Sequence, residues 1–501
     1  MSVIAFFLCI IVIAVTAIYL YRKLNPQGVL VLAGLVMLTF ALILNVQPVV
    51  PAKPTGSAVF DLMKVVEETF ISNLARAGLM IMAIGGYVAF MNHIQATNAL
   101  VHISMKPLGF FRRYPYLAAT VTIPIGQLLF ITTPSAVGLG LLLVASVYPV
   151  LIGLGVSRLT ALSVIAAATL FDQGPGSANT ALAAELIGQT NVAYFIIHQL
   201  PLVIPTTLVV MTLFYFNNRY FDKKEAAGLK EGTNKKEETG EKREISELNG
   251  KTETNGKAET SKKEEISKKT ETSEKPATPQ TSARPDIPLI FALLPVLPLA
   301  LLIVFSPYVG LFEPPITLNT TTAMLFSLVV SLLFVGCHTR NIRKTFDAFS
   351  SFWKGMGNVF ASVVTLIVAS EIFSKGLISL GFINSLVDYS THIGLSGIAI
   401  AAAFAFIIFC AAMLMGSGNA AFFSFGPLLP GIAGQLGMPA YSLVLPLQLS
   451  ASMGRAASPI AGIIVAIAGV AGVSPIELAK RNTLPLIGSI LFLIAYHFIT
   501  L

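Results

Sequence analysis

The sequence predicts an all-α polytopic membrane protein, built as an inverted-topology repeat with two re-entrant hairpins and two broken helices. Three observations lead to this fold class. Apolar segments recur along almost the whole chain, and short segments interrupted by Gly, Pro and Ser occupy corresponding places in two halves. The basic loops of the two halves also alternate in opposite senses. Such repeats are common among secondary transporters.

Composition places most of the chain in a lipid environment. Hydrophobic residues make up 54% of the 501 positions and charged residues only 12%. The stretch 222–286 holds 15 of the 33 basic and 15 of the 25 acidic residues. The net charge of +8 therefore lies in the apolar part, where it reflects membrane topology and gives no indication of nucleic-acid binding. Three scattered cysteines predict neither a disulfide framework nor a metal site.

The apolar segments divide into full spans and shorter pieces. A span needs about 20 apolar residues. The run from Val3 to Leu20 is long enough and lacks a cleavage site, so we expect a retained first helix that also serves as the insertion signal. The segments that follow are 28–46, 75–92, 115–133, 136–153, 159–171, 191–216, 287–305, 319–337, 356–373, 376–388, 395–415, 421–436, 441–452, 459–472 and 483–500. The short ones cluster after 130 and after 415, which predicts hairpins or broken helices there.

A charged stretch separates the two membrane repeats, which we assign to 1–221 and 287–501. Residues 222–286 are rich in Lys, Glu, Thr and Ser and have almost no aliphatic side chains. Such a segment cannot bury enough surface to fold, so we predict a disordered cytoplasmic linker. A solvated spacer and a regulatory or partner-docking segment are both compatible with this composition.

The positive-inside rule gives the orientation of the repeats. Arg22 follows the first apolar segment, whereas the loop after the second contains only Lys53. In the second half the order is reversed, because the basic residues Arg340 and Arg343 follow its second segment. The two halves are therefore predicted to cross the membrane in opposite senses.

The clearest interruption in the second half is the stretch "GSGN" at 416–419. Irregular backbone at membrane depth is tolerated only where protein buries it or where it lines a cavity. We predict the tip of a hairpin, in which Ser417, Gly418 and Asn419 contact the substrate and a helix N-terminus favours an anion. The alternative is close packing of helices through small residues.

The corresponding stretch of the first half is "ITTPSAVGLG" at 131–140. Pro134 breaks the helix, and the hydroxyls of Thr133 and Ser135 become candidate substrate ligands by symmetry. The alternative is that these hydroxyls bond back to their own helix and have no further role.

A second interruption of the first half, "FDQGPGSANT" at 171–180, contributes oxygen atoms from Ser177, Asn179 and Thr180. Glycines and a proline unwind the chain there, so these three residues are predicted to bind substrate. Asp172 lies at the start of the break. It is a candidate for ion or proton coupling, although it could also neutralise a nearby cation.

The counterpart in the second half is "SASMGRAASPIAG" at 450–462, with Arg455 and Ser458 as candidate substrate ligands. An unpaired charge deep in the bilayer is costly, and Arg suits bidentate capture of a carboxylate. The alternatives for Arg455 are an interfacial anchor and a structural pair with Asp172. No nucleotide-binding, nucleophile or zinc motif is present. The sequence therefore predicts neither an enzyme nor a cofactor, and transport would be driven by gradients or exchange.

The segments "GSGNAAFFSF" and "LQLSASMGRAASPIAGIIVAIAGVAGVSPIELAKRNTLPL" (447–486) resemble the DcuC family of anaerobic C4-dicarboxylate carriers, as do 85–94 and 135–158. The resemblance implies a bacterial inner-membrane carrier that exchanges or exports succinate, fumarate, malate and similar dianions. It also implies a dimerising scaffold and an elevator-type transport domain. Carried onto this chain, it places hairpin tips at 133–136 and 416–420, and breaks at 174–180 and 454–459. The long linker departs from the family pattern.

Other functions remain compatible with the residues themselves. A carrier of another carboxylate or anion could share this architecture. A sodium/proton antiporter would depend on Asp172 and not on Arg455, and a non-transporting scaffold would depend on neither. The preferred dicarboxylate, the coupling ion, the direction of transport and the oligomeric state stay open at this point.

Overall fold

The computed structural model describes residues 2–22, 24–46, 50–105, 110–111, 113–244, 288–307, 309–312, 316, 318–382, 385 and 396–500. The regular structure in these ranges is helical throughout. Eight helical segments among the described residues are long and apolar enough to span a membrane, and three of them consist of consecutive helices. The number is nine if the pair Leu79–His93 and Ala96–Ser104, bent by 79°, counts as one span. The all-α, multi-pass fold class is thereby confirmed.

The first half of the chain forms twelve described helices. They are α1 Ser2–Tyr21, α2 Pro26–Leu44, α3 Ala58–Asn73, α4 Leu79–His93, α5 Ala96–Ser104, α6 Pro115–Thr132, α7 Ala136–Ser146, α8 Tyr148–Gly153, α9 Arg158–Ala167, α10 Ala178–Leu186, α11 Asn191–Tyr194 and α12 Leu200–Glu244. A π-helical turn, Leu74–Gly78, joins α3 to α4, and another, Phe195–Gln199, joins α11 to α12.

The second half begins with a 3₁₀ helix, Leu289–Val296, and continues in ten described α-helices. They are α13 Leu297–Val304, α14 Thr320–Thr339, α15 Ile342–Val359, α16 Thr365–Ser379, α17 Gly397–Met415, α18 Gly418–Phe425, α19 Leu429–Gln435, α20 Tyr441–Ala456, α21 Gly462–Ala471 and α22 Pro475–Thr500. A π-helical turn, Phe360–Val364, joins α15 to α16. The 3₁₀ turn Gly426–Leu428 joins α18 to α19.

One group of helices packs through glycine contacts between the two halves. Helix α2 lies against α16, and a Cβ atom on Gly34 would come within 2.7 Å of the Ile372 carbonyl oxygen. Helix α4 lies against α15, where a Cβ on Gly355 would be 2.5 Å from the Ala89 Cβ. Residues without side chains allow helix backbones to approach this closely, which is how helices associate in lipid.

The arrangement of this group is the same in each half. A long helical pair with a π-helical turn, α3–α4 or α15–α16, is preceded by a single apolar helix, α2 or α14. The second helix of the first pair packs on the first helix of the other pair. An inverted repeat predicts this order of elements. The opposite membrane orientation of the halves stays a prediction.

A second group of helices buries the interrupted segments. Helices α6, α9, α10, α12, α17, α18, α20 and α22 contact one another around a large apolar core. Helix α20 is buried along almost its whole length, including the polar side chains of Gln448, Ser450 and Ser452. A helix with no lipid-facing side can carry polar groups if neighbouring protein groups satisfy them.

Helix α12 continues beyond the membrane part of the chain. The predicted disordered linker starts at 222, but the described backbone is helical as far as Glu244. Lys and Glu make up 12 of the 23 residues of 222–244, and they are strong helix formers that can extend a helix already nucleated in the membrane. Residues 245–287 lie outside the described residues, so the disorder of the remaining linker stays a prediction.

Candidate functional site

Four interruptions of the helices pack against one another in pairs. In the first half, a Cβ atom on Gly174 in the α9–α10 break would come within 2.6 Å of the Ile131 side chain, near the α6–α7 turn. In the second half, a Cβ on Gly416 would lie 3.0 Å from the Ile460 carbonyl oxygen. A Cβ atom on Gly418 would lie 2.8 Å from the Ala451 carbonyl oxygen. Each turn therefore touches the break of its own half.

The four predicted serines all bond to backbone N–H groups at the interruptions. Ser135 and Ser417 are the N-caps of α7 and α18, and their Oγ atoms accept hydrogen bonds from Gly138 N and Ala420 N. The Oγ of Ser177 caps α10, and that of Ser458 accepts from Ile460 N at 3.3 Å. Capping satisfies N–H groups that a helix start leaves unpaired. These serines therefore shape the short helices around the site.

The Asp172 carboxylate is the centre of a buried cluster in the α9–α10 break. Its Oδ1 accepts a hydrogen bond from Ser177 Oγ at 2.6 Å, and its Oδ2 accepts one from Asn179 Nδ2 at 3.0 Å. Asp172 is 6% exposed, and Asn179 and Ser177 are fully buried. The two donors stabilise the charged form of the carboxylate and hold the Asn179 side chain in a defined orientation.

Asn179 also connects the first half to the second. Its Nδ2 donates a hydrogen bond to Asn419 Oδ1 at 3.1 Å, across 240 positions of the sequence. The structure thus brings together two residues that the sequence assigned to separate interruptions. Asn179 Oδ1, by contrast, is buried and has no hydrogen-bond partner. Because Asp172 requires the amide NH₂ group on its own side, this oxygen points away from the carboxylate.

Arg455 lies near the end of α20 and reaches elements of the first half. Its Nη2 donates a hydrogen bond to the Thr169 carbonyl oxygen at 2.6 Å, and its guanidinium lies 5.8 Å from the Phe130 ring centroid. Within the part of the chain that the structure describes, this is the one hydrogen bond of the guanidinium, and no ion pair joins it to Asp172. A guanidinium has five N–H donors, so Arg455 retains donors for a ligand.

The two predicted threonines bond to protein groups. Thr133 Oγ1 donates to the Leu129 carbonyl oxygen of its own helix at 2.9 Å, which is the helix back-bonding alternative considered for it. The Thr180 hydroxyl pairs with the side-chain amide of Gln199, at 3.0 Å from Nε2. Both threonines are buried. Their hydroxyls thus support the backbone around the site.

A buried amide network that was not predicted from the sequence holds the α9–α10 break. Gln448 on α20 donates from Nε2 to the Asp172 carbonyl oxygen at 3.1 Å and accepts from Tyr194 OH at 2.8 Å. Gln199 accepts from the Gly174 N–H at 3.1 Å. Both glutamines are fully buried. The available signal was a glutamine among apolar residues, "LVLPLQL" at 443–449.

A second residue that was not predicted, Asn482 on α22, bridges α9 and the end of α20. Its Oδ1 accepts from Ser163 Oγ on α9 at 2.8 Å, and its Nδ2 donates to the Ala456 carbonyl oxygen at 3.1 Å. Ala456 directly follows Arg455, so Asn482 restrains the chain at this arginine. The neighbouring Arg481 forms a buried ion pair with Asp222 at 2.5 Å.

The site offers two kinds of chemistry. The free donors of Arg455 suit an anionic ligand. Two buried oxygen atoms without a partner, Gln173 Oε1 in the α9–α10 break and Asn179 Oδ1 in the first turn of α10, are acceptors that suit a proton donor or a cation. Among the described residues, no group of three His, Cys, Asp or Glu side chains could hold a metal ion.

Comparison with known proteins gives a family and a fold. Residues 5–501 match the family described as "DcuC: C4-dicarboxylate anaerobic carrier". The anaerobic C4-dicarboxylate transporter DcuC of Escherichia coli K12 is 28% identical over 490 residues, which cover 97% of this chain and 95% of that protein. A probable anaerobic C4-dicarboxylate transporter DcuC of Vibrio cholerae is 28% identical over 472 residues, covering 94% of this chain and 92% of that protein.

Two solved transporters share the architecture. MtrF of Neisseria gonorrhoeae, described with a class of antimetabolite efflux pumps, superposes with a TM-score of 0.59 at 12% identity and covers 96% of each chain. The YdaH transporter of Alcanivorax borkumensis gives a TM-score of 0.57 at 13% identity, covering 94% of this chain and 98% of that one. At these identities the likeness concerns the fold.

Proposed function

The chain belongs to the DcuC family of anaerobic C4-dicarboxylate carriers, and we propose that it transports succinate, fumarate and malate by exchange or by succinate efflux under anaerobic conditions. As a member of this family it is a multi-pass protein of the bacterial inner membrane and a transporter, not an enzyme. The observation that carries the proposal is the position of Arg455 among three of the four interruptions.

Arg455 would bind one carboxylate of the dianion. The guanidinium is held by the Thr169 carbonyl oxygen and the face of Phe130, so it is oriented before a ligand arrives. Its planar fork of donors matches a carboxylate and makes short, charge-assisted hydrogen bonds. Preorganisation lowers the entropic cost of binding.

The turn at 416–417 would bind the other end of the substrate. Asn419 lies in the first turn of α18, and its Oδ1 already accepts a hydrogen bond from Asn179 Nδ2. We propose that a carboxylate accepts hydrogen bonds from the Asn419 amide group and from N–H groups at the start of α18. The partial positive charge of a helix start favours an anion there. Ser417 would define the geometry of that start through its cap.

Asp172 is our candidate for ion or proton coupling. Its carboxylate is buried, lies in the electrostatic field of Arg455 and accepts hydrogen bonds from Ser177 and Asn179. A proton or a sodium ion bound at this cluster would offset the charge of the dianion during translocation. Buried charges at membrane depth commonly mark such coupling sites.

The two helix groups suggest how the site could move. We propose that the glycine-packed group α2–α4 and α14–α16 is the scaffold and that the group containing the interruptions is the transport domain of an elevator. A scaffold of this kind would form a homodimer. Measurement of the oligomeric state in lipid nanodiscs tests this part separately.

Counterflow in proteoliposomes tests the function. Vesicles loaded with unlabelled succinate receive labelled fumarate outside, with and without imposed proton or sodium gradients. Rapid uptake that requires internal dicarboxylate is the result expected for exchange, and dependence on a gradient identifies coupled transport. Absence of uptake of every C4 acid in correctly inserted protein would overturn the dicarboxylate proposal.

The second candidate is a carrier of another carboxylate or anion. The N–H donors of Arg455 that have no protein partner support this candidate as well as the first, since they match any carboxylate. Competition separates the two candidates, because excess fumarate or succinate blocks uptake only if C4-dicarboxylates occupy the site. A sodium/proton antiporter without organic substrate is the third alternative, and it requires full activity in an Arg455→Ala variant.

A further inference from the structure

An apolar groove lies between α14 and α15, on the scaffold side and away from the candidate transport site. It has a volume of about 620 Å³, which lies in the range of about 300–1,000 Å³ that ligand pockets occupy. Its walls are formed largely by aliphatic and aromatic side chains, including Leu332, Leu333, Phe346 and Phe349. An elongated apolar molecule would fit such a groove.

The polar end of the groove carries unpaired positive charge. The turn between the two helices contains Arg340, whose backbone is left-handed with a φ of 48°, and Asn341. Arg340 lines the groove, and Arg343 and Lys344 follow on α15. None of these three side chains forms an ion pair with an acidic group in the part of the chain that the structure describes. The turn therefore attracts an anion.

Helix α15 also has the composition of an interfacial helix. Phe346 is 66% exposed, and Trp353, the one tryptophan of the chain, is 57% exposed. Tryptophan is enriched at the depth of lipid headgroups, and loops rich in Lys and Arg lie on the cytoplasmic side. With the orientation predicted by the positive-inside rule, we expect the groove to open to lipid tails and its charged end to lie at the level of inner-leaflet headgroups.

We propose that this groove binds an anionic phospholipid of the inner leaflet, with an acyl chain between α14 and α15 and the headgroup phosphate at Arg340. The complementarity is twofold. Apolar walls match the chain, and a guanidinium without an acidic partner matches the phosphate. Basic pockets between membrane helices on the cytoplasmic side are known as sites for anionic headgroups.

Native mass spectrometry of the full chain in neutral detergent tests the proposal. The probes are phosphatidylglycerol and phosphatidylcholine with identical acyl chains. One phosphatidylglycerol per chain should bind at least about fivefold more tightly than phosphatidylcholine. Arg340→Gln should reduce this preference to the level of phosphatidylcholine. Arg158→Gln removes the same charge from an exposed residue on α9, outside the groove, and it should keep the preference.

A groove-filling variant tests where the acyl chain lies. A Cβ atom on Gly336 would have its nearest neighbour, Thr345 Oγ1, at 3.8 Å, so Gly336→Phe can direct its ring into the groove without a backbone clash. This variant should lose the tightly bound lipid of either headgroup. Gly336→Ala leaves the groove open and should retain it.

Three results would overturn the proposal. Equal affinity for both lipids would remove the phosphate contact, and an equal effect of Arg340→Gln and Arg158→Gln would indicate general surface attraction. If Gly336→Phe changed the oligomeric state and left the lipid count unchanged, the groove would be an interface with a second copy of the chain.

Discussion

Replacement of Arg455 tests the core of the proposed function. Loss of one partner from a buried, hydrogen-bonded charge pair costs about 2–5 kcal/mol. Arg455 is half-buried, so the lower end of this range applies, and 1.4 kcal/mol corresponds to tenfold in affinity. Arg455→Ala should therefore weaken half-saturation for fumarate by about 30-fold or more.

The Arg455→Lys variant separates charge from geometry. Lysine keeps the positive charge but loses the planar fork that binds a carboxylate through two parallel bonds. The loss of one charge-assisted hydrogen bond, about 1.5 kcal/mol, should weaken half-saturation by about tenfold. An intermediate value between the parent and the alanine variant is therefore expected.

The assay is initial-rate counterflow in proteoliposomes over a range of fumarate concentrations, normalised to inserted protein. Arg158→Ala is the matched control. Arg158 lies on α9, in the same helix group as Arg455, but its side chain is exposed, so this variant should behave like the parent. Thermal unfolding in detergent checks that Arg455 variants remain folded. Half-saturation within about twofold of the parent in Arg455→Ala would exclude this arginine from the substrate site.

Three further predictions concern packing, the buried ion pair and the linker. Gly34→Ala should lower the thermal stability and transport rate because its Cβ would lie 2.7 Å from a backbone oxygen, whereas Gly357→Ala, with no atom within 4 Å, should not. Arg481→Gln should destabilise the protein by about 3 kcal/mol or more, since it leaves the buried Asp222 carboxylate without its cation. Unfolding midpoints should show partial recovery in the double variant with Asp222→Asn. Deletion of 230–280 should leave counterflow largely unchanged, and a correctly inserted but inactive deletion would assign the linker a further role.

Particular residues show how far the sequence analysis reached. The interruptions at 133–135 and 416–417 were predictable because glycine, proline and capping serines have local conformational preferences. The membrane class followed from composition. The roles of Gln448 and Asn482 were not predictable, because their partners lie up to 319 positions away along the chain.

For the predicted serines and Asp172, the position in the chain was predictable but the hydrogen-bond partners were not. Their positions at the breaks were predicted, but whether each hydroxyl caps a helix or stays free depends on the exact backbone path. The extension of α12 to Glu244 was not predicted, because the composition of 222–244 favours disorder in a free segment but permits helix once a preceding helix has nucleated it.

The membrane environment of this protein, the positions at which its helices break and its family can all be derived from the amino-acid sequence alone. These properties arise from side-chain transfer to lipid and from local backbone preferences, which depend on composition and near neighbours. The folded structure is needed to see which breaks meet, and thus that Asn179 pairs with Asn419 and that Arg455 donates to the Thr169 carbonyl oxygen. Buried polar groups in a membrane must find partners within the protein, and those partners are set by helix packing between the two halves.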